Sequence, residues 1–454
     1  MNTIQKQKGS IIFVVFICIA AAFGGLLYGY DSACISGAIE SIQSKFTLSS
    51  GMVGFVVSSI LIGGTIGVLV CGSLSDMIGR KKVLAISALL FAVSSVVQSL
   101  APSVTIIILA RLIGGLGIGM ASVLSVTYIT EVAPTHLRGR LGSLYQIACA
   151  VGIVSVYFVN AGIMNGADAA WKINTGWRLV LGLAGIPALL YLLVILPIPE
   201  SPRWLVGKGK NEEAQRVLEK INGTIEASKE FINIKQSMKV NKKNSWSDFN
   251  SPGIKKALRV GIIIAVLQQL VGINVIIYYA PQVFKAAGAS GDMGTLLISM
   301  IGVAAFAGVL CSMWFVDRVG RKKLLVVGSL GMALMQAFVG CSIYFNLNLG
   351  MITSICIVLY LFLFNISMGP VVWVILGEIF PNQVRGRAMS IATFFMWAAN
   401  WLISQVFPVI LAHFGGGITF GFFGVMCIIS AIYAGVALPE TKDKSLEEME
   451  QIWG

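Results

Sequence analysis

Residues 131–140 read EVAPTHLRGR, and residues 378–387 read EIFPNQVRGR. The pattern Glu-x-x-Pro-x-x-x-Arg-Gly-Arg thus occurs twice, 247 residues apart. Two more pairs keep the same order and nearly the same offset. Gly79-Arg80-Lys81-Lys82 returns as Gly320-Arg321-Lys322-Lys323, 241 residues on, and Pro199-Glu200 returns as Pro439-Glu440, 240 on. Three ordered matches at one period mark an internal duplication of about half the chain. What lies between the motifs decides what was duplicated.

Between them run long apolar segments, at about 11–37, 51–73, 83–101, 104–128, 142–164, 177–197, 257–284, 293–316, 324–346, 350–376, 388–412 and 417–438. Roughly 20 apolar residues cross a bilayer core as a helix. Only 12% of the 454 residues are charged, against about a quarter in soluble domains. The expected fold is therefore an all-α membrane protein of twelve transmembrane helices in two pseudo-symmetric six-helix bundles. The first segment is too long for a signal peptide and reads as the first span. The expected organisation is an N-terminal bundle over 1–204, a helical linker over 205–255, a C-terminal bundle over 256–440 and a tail over 441–454. In the linker, Val217, Leu218 and Ile221 recur near helical spacing.

The net charge of +13 is a topology signal. With the N-terminus inside, 28 of 33 basic residues fall on the cytoplasmic side, and only Lys45, Lys172, Arg178 and Lys285 fall outside. That asymmetry orients the chain, with both termini cytoplasmic, as a multi-pass protein of the plasma or inner membrane. It also removes nucleic acid as a partner. The eight cysteines lie in apolar runs without a CxxC pair, and the two histidines are far apart. Neither a disulfide framework, a metal site nor a cofactor is expected. No GxxxxGK[ST] phosphate loop is present, which disfavours an ATP-driven pump.

The duplicated loops carry acids beside bases. Asp76, Glu131 and Glu200 accompany Arg80, Arg138 and Arg203, and Asp317 and Glu378 accompany Arg321 and Arg385. Simple positive-inside anchoring explains the bases alone. The acids suggest ion pairs that lock the two halves at the cytoplasmic side and break during a cycle, since interfacial charges need partners.

The repeated GRKK-type loops, the doubled E-x-x-P-x-x-x-R-G-R motif, PESPRW at 199–204, QQLVGIN at 268–274 and PETK at 439–442 resemble the sugar porter family of the major facilitator superfamily. The resemblance covers nearly the whole chain and is strongest to bacterial proton-coupled symporters of pentoses such as xylose and arabinose. It implies alternating access to a central site, transport of a monosaccharide together with a proton, no bond made or broken in the substrate, and action as a monomer in the lipid bilayer. A passive sugar facilitator, a membrane sugar sensor and a drug–proton antiporter are the rival readings.

Two ionisable residues stand out inside spans, Asp31 and Arg111, and neither has a counterpart in the other half. Intramembrane charges are costly and are functional hypotheses by default. One reading is a static ion pair that fixes packing. The other is proton coupling, because burial and a nearby guanidinium push a carboxylate's affinity for protons in opposite directions. The resemblance supports coupling: symporters of the family carry Asp at this position.

Amides donate and accept hydrogen bonds at once, as a sugar hydroxyl does. Gln146 lies in the fifth span, and Gln268, Gln269, Asn274 and Tyr278 crowd the seventh. A single regular helix would not aim all four at one ligand, so a break is expected at Gly272. A second is expected at Gly369-Pro370. The resemblance places Gln146, Gln268, Gln269, Asn274, Trp373, Trp397 and Asn400 in the sugar site and matches Tyr278 and Tyr279 to the outer gate. Ala305 and Met396 depart from the amides common in the family.

Overall fold

In the computed structural model, glycine and proline set where the long apolar runs start, stop and bend. The structure describes residues 9–134, 137–241, 249, 251–288, 291–347, 349–381, 384–442 and 446–453. The first four spans are Ile11–Phe46, Ser50–Ile78, Arg80–Leu100 and Val104–Val132. Two β-region serines, Ser10 and Ser49, cap the first two by accepting from the N–H of Phe13 and Met52. The fifth span, Leu144–Met164, follows a short helix at Arg138–Gly142. The sixth is assembled from Ala169–Trp171, a π-helical turn at Lys172–Gly176, Trp177–Leu183 and Gly185–Ile195.

The second six begin with a seventh span in three pieces, Pro252–Leu270, Ile273–Tyr278 and Ala280–Ala286. Gly272 separates the first two at φ +92, as the sequence leads one to expect. No other residue fits there, because that φ favours glycine and a Cβ would also lie 2.8 Å from Phe423. The eighth and ninth spans are Gly291–Val319 and Arg321–Tyr344. The tenth is Gly350–Ile366 followed by Met368–Glu378. Its break sits at Ser367 (φ −113, ψ −91), before the expected Gly369-Pro370. The displacement follows from proline chemistry: Pro370 offers no N–H to Ile366 four residues back and its ring crowds that carbonyl, so the helix parts one turn upstream. The eleventh and twelfth spans run through Arg385–Ala437 and are divided by Gly415 at φ 73. Twelve spans result among the described residues.

The duplication is visible in backbone geometry. Gly79 (φ 105, ψ 155) and Gly320 (φ 94, ψ 155) make the same tight turn between the second and third spans and between the eighth and ninth. Leu100, Val327, Leu334, Ile432 and Val436 are exposed on the outside of the bundle, as a hydrocarbon surround requires. The linker forms Pro202–Gly207, Asn211–Asn222 and Thr224–Asn241, and Val217, Leu218 and Ile221 are its buried stripe. A last helix, Leu446–Trp453, lays Trp453 against the inner piece of the tenth span, where its indole donates to the Ile379 carbonyl at 3.1 Å.

Candidate functional site

The breaks in the seventh and tenth spans bring the amides together. Gln268 donates to the carbonyls of Met368 (2.8 Å) and Gly369 (3.1 Å). Gln269 donates to Gln268 Oε1 at 3.1 Å, and Asn274 donates to Gln269 Oε1 at 2.6 Å. Without the turn at Gly272 the last of these could not form, since five residues on a regular helix put Asn274 well round from Gln269. The side chains are 3–8% exposed, so this is a buried, uncharged hydrogen-bonding chain. Both N–H groups of Gln268 are already used. Gln269 and Asn274 each keep one N–H, and Asn274 keeps its oxygen, for a ligand.

A second group faces it from the eleventh span. Asn400 donates to the Tyr278 hydroxyl at 3.3 Å and accepts from Ser404 at 3.2 Å. Trp397 lies one turn away, its ring 5.9 Å from that of Tyr28 in the other half. Tyr279 is fully buried and donates to the Ser404 carbonyl at 2.8 Å. Gln146 is half-buried and makes no hydrogen bond with another described residue, which leaves its amide open. Trp373 is half-buried on the inner piece of the tenth span. Ala305 and Met396 are buried and offer no polar group.

Asp31 and Arg111 are 7% and 1% exposed. They form no ion pair at 4.0 Å or less. Arg111 donates from Nη2 to the Val57 carbonyl at 3.1 Å, while its Nε and Nη1 have no partner. The static pair that would fix packing is thus not what the fold contains. A buried guanidinium with two idle donors is costly to keep, and such cost is tolerated where a function uses it.

The two halves meet at the end opposite the basic loops. Ser58 donates to Gln405 Oε1 at 2.8 Å, and Gln405 donates to the Gly51 carbonyl at 3.0 Å. Tyr157 donates to the Ile277 carbonyl at 3.0 Å. These three hydrogen bonds cross between halves. At the basic end no described hydrogen bond or ion pair does so, and Cβ atoms placed on Gly72, Gly139, Gly377 and Gly386 would meet open space. Among the described residues, the hydrogen bonds between the halves are therefore all at one end.

Among the described residues, the ion pairs of the charged motifs lie within one half or the other. Arg80 pairs with Asp76 at 2.9 Å and Glu131 at 3.3 Å, and Arg321 pairs with Glu378 at 3.1 Å. Ser201 donates to Glu131 and Thr441 to Glu378. Glu200 accepts from the backbone N–H of Arg80 (2.9 Å) and Lys81, and Glu440 accepts from those of Arg321 (3.0 Å) and Lys322. Each glutamate thus covers the N-terminus of a span with negative charge, where the helix dipole favours it. Burial pushes the Glu200 carboxyl above the usual range despite its backbone donors. Glu440 is also raised by burial, but the N–H groups of Lys442, Arg321, Lys322 and Thr441 outweigh that and hold it below the usual range. The capping role of Glu200 and Glu440 was not legible in the motifs, nor were Ser404, Gln405 or Tyr157 singled out by them. Arg203 is exposed, and Arg385 donates to the Phe380 carbonyl at 3.4 Å. The side chains of Arg138 and Asp317 lie outside the described residues.

A sugar (and other) transporter family model matches residues 17–453. The chain belongs to the sugar transporter family of the major facilitator superfamily. It is a multi-pass membrane transporter and not an enzyme. Among curated relatives, it is 45% identical to the arabinose-proton symporter of Bacillus subtilis (strain 168) over 452 residues, covering 100% of this chain and 97% of that protein. It is 38% identical to the D-xylose-proton symporter of Escherichia coli (strain K12) over 486 aligned residues, again 100% and 97%. Among solved structures, the inward open xylose transporter XylE of E. coli matches at TM-score 0.86 and 35% identity, covering 97% of this chain and 100% of that one. XylE bound to 6-bromo-6-deoxy-D-glucose matches at TM-score 0.83 and 37% identity, covering 98% and 99%.

Proposed function

We propose that this sugar transporter imports a pentose, D-xylose or arabinose, together with a proton. The observation that carries the coupling is the buried Asp31, unpaired yet near an Arg111 with two idle donors. An outward-facing form takes a proton on Asp31 and a sugar against Gln146, Gln268, Gln269, Asn274, Tyr278, Trp373, Trp397 and Asn400. Amides hold the hydroxyls, and the two indoles cover the C–H faces. Tyr278 and Tyr279 then close the outer end, and the halves part at the inner end. Rocking of two halves around one site provides the motion. The relatives' names supply the sugar class, since the arabinose-proton and D-xylose-proton symporters are matched over the whole chain.

The excess of Lys and Arg in one set of loops makes the basic end cytoplasmic, with both termini there and the protein in the cell membrane. Residues 1–204 and 256–440 act as the two rocking bundles, 205–255 as their linker and 441–454 as a tail. The charged motifs around Asp76, Arg80, Glu131, Arg138, Glu200, Arg203, Asp317, Arg321, Glu378 and Arg385 act as the cytoplasmic gate. Each half's acids and bases satisfy one another when that side is open and exchange partners across the interface when it closes. A monomer suffices, because both walls of the site come from one chain.

The test is uptake into proteoliposomes with a sugar panel, with and without an inward proton gradient. Pentose accumulation driven by the gradient is expected. Asp31→Asn is expected to abolish accumulation while leaving sugar exchange. Undiminished accumulation in that variant would falsify the coupling role, and downhill flux indifferent to the gradient would identify a passive facilitator.

A further inference from the structure

The seventh and tenth spans are broken beside one another, and each break is tied to the other span. In a continuous seventh helix the Val271 carbonyl would accept from the N–H of Val275. Gly272 removes that bond, and the buried Tyr360 of the tenth span takes its place, donating to the Val271 carbonyl at 2.8 Å. In return Gln268 of the seventh span donates to the Met368 and Gly369 carbonyls, just past the tenth-span break at Ser367. The two ties run in opposite directions and enclose both breaks. The inner piece of the tenth span, Met368–Glu378, ends on the glutamate that pairs with Arg321.

We propose that Tyr360 is a positioning residue for the sugar site, and that with Gln268 it makes the two breaks move as one unit. It touches no sugar. By carrying the freed Val271 carbonyl it fixes the turn at Gly272, and that turn is what brings Asn274 back onto Gln269. An unmet carbonyl in a protein interior costs about as much as a lost hydrogen bond, so the turn would relax without it. Because Gln268 has no N–H to spare, a sugar oxygen that accepts from it takes it from Met368 or Gly369. A sugar held in that way loosens the inner piece of the tenth span and, through Glu378, the contact with Arg321. Gln336 of the ninth span lies beside the Tyr360 hydroxyl, 1% exposed and with neither amide atom bonded. It is the alternative partner for that hydroxyl when the seventh span moves.

The link to sugar rests on the proposed function; the tie between the breaks does not, and the experiment separates them. Full-length protein and its Tyr360→Phe variant are compared first by amide hydrogen exchange without sugar. Residues 268–278 and 366–373 are both expected to exchange about tenfold faster in the variant, the effect of one buried hydrogen bond. Faster exchange confined to 268–278, or no change, overturns the tie. Xylose and arabinose affinities are then read from tryptophan fluorescence and from exchange flux. The expected result is a KM raised about tenfold with kcat within about twofold of the parent. A variant with lower thermal stability but unchanged sugar affinity has lost only packing, and that overturns the positioning role. Should the parent bind no sugar, the functional reading fails while the ligand-free exchange still decides the tie. Should Tyr360→Phe not fold, sugar is titrated into the parent. Exchange in the two segments must then change with a single midpoint, and different midpoints overturn the proposal.

Discussion

Ser58 and Gln405, from the second and eleventh spans, hold the two halves together by a hydrogen bond of 2.8 Å, and the same amide reaches back to the Gly51 carbonyl. Nothing equivalent joins the described residues at the basic end. This one side chain thus contributes two of the three cross-half hydrogen bonds among the described residues, and removing it should favour the opposite arrangement of the halves. Gln405→Leu is expected to move the equilibrium between the two forms by about tenfold, the worth of one to two net hydrogen bonds. A spin-label distance between the outer ends of the second and eleventh spans reads the populations directly. An unchanged distance distribution would show that apolar packing alone closes that end.

Gly64 of the second span leaves no room for a side chain, because a Cβ there would lie 2.1 Å from Cζ3 of Trp397. Gly64→Ala must push the indole away from the second span. With Trp397 over the sugar, affinity should fall by about tenfold, and the overpacking itself should cost about 1–3 kcal/mol of stability. The check is a fluorescence titration with xylose. Unchanged affinity would remove Trp397 from the sugar site.

Gly272→Ala faces both a positive φ and Phe423 at 2.8 Å. The conformational penalty alone is about 1–2 kcal/mol. Overpacking adds about 1–3 kcal/mol. Thermal stability should drop accordingly, and on a Phe423→Ala background, itself less stable, Gly272→Ala should cost only the backbone part. No cost on that background would mean that the turn tolerates a side chain.

Glu200 and Glu440 cap corresponding spans but respond differently to protonation. The Glu440 carboxyl is held below its ordinary range, so its stabilisation is present above the unfolded-state value and is lost as pH falls through the folded-state value. The Glu200 carboxyl is raised, so protonation favours its folded form and its contribution weakens as pH rises through the folded-state value. Glu440→Gln is therefore expected to destabilise at neutral pH more than Glu200→Gln, by about 1 kcal/mol. The difference should shrink as pH is lowered toward the carboxylate range. Melting temperatures of the two variants from pH 7 downward test this, and equal losses at all pH values would count against it.

Local chemistry is what the sequence exposes well. The spans follow from runs of apolar residues. The break at Gly272 follows from four polar groups that one regular helix could not aim together. The tenth-span break was legible only to within a turn, because Pro370 acts on the carbonyl behind it rather than at its own position. Glu131 and Glu378 were recognisable as paired acids. Their partners were not, since an acid next to several arginines satisfies more than one arrangement until the backbone is placed.

Alone, then, the sequence determined twelve spans, their duplication, the outlying charges Asp31 and Arg111, and the amides of the seventh span. Periodicity, length and glycine conformation act over a few residues and need no fold to be read. Only the tertiary structure decided that Glu200 closes the start of the third span from 120 residues away, and that Glu440 does the same for the ninth. It also decided that Tyr360 replaces a helical hydrogen bond 89 residues off, and that Asp31 and Arg111 stand unpaired. Hydrogen bonds are directional and reach about 3 Å, so which donor meets which acceptor is set by where the helices lie against one another.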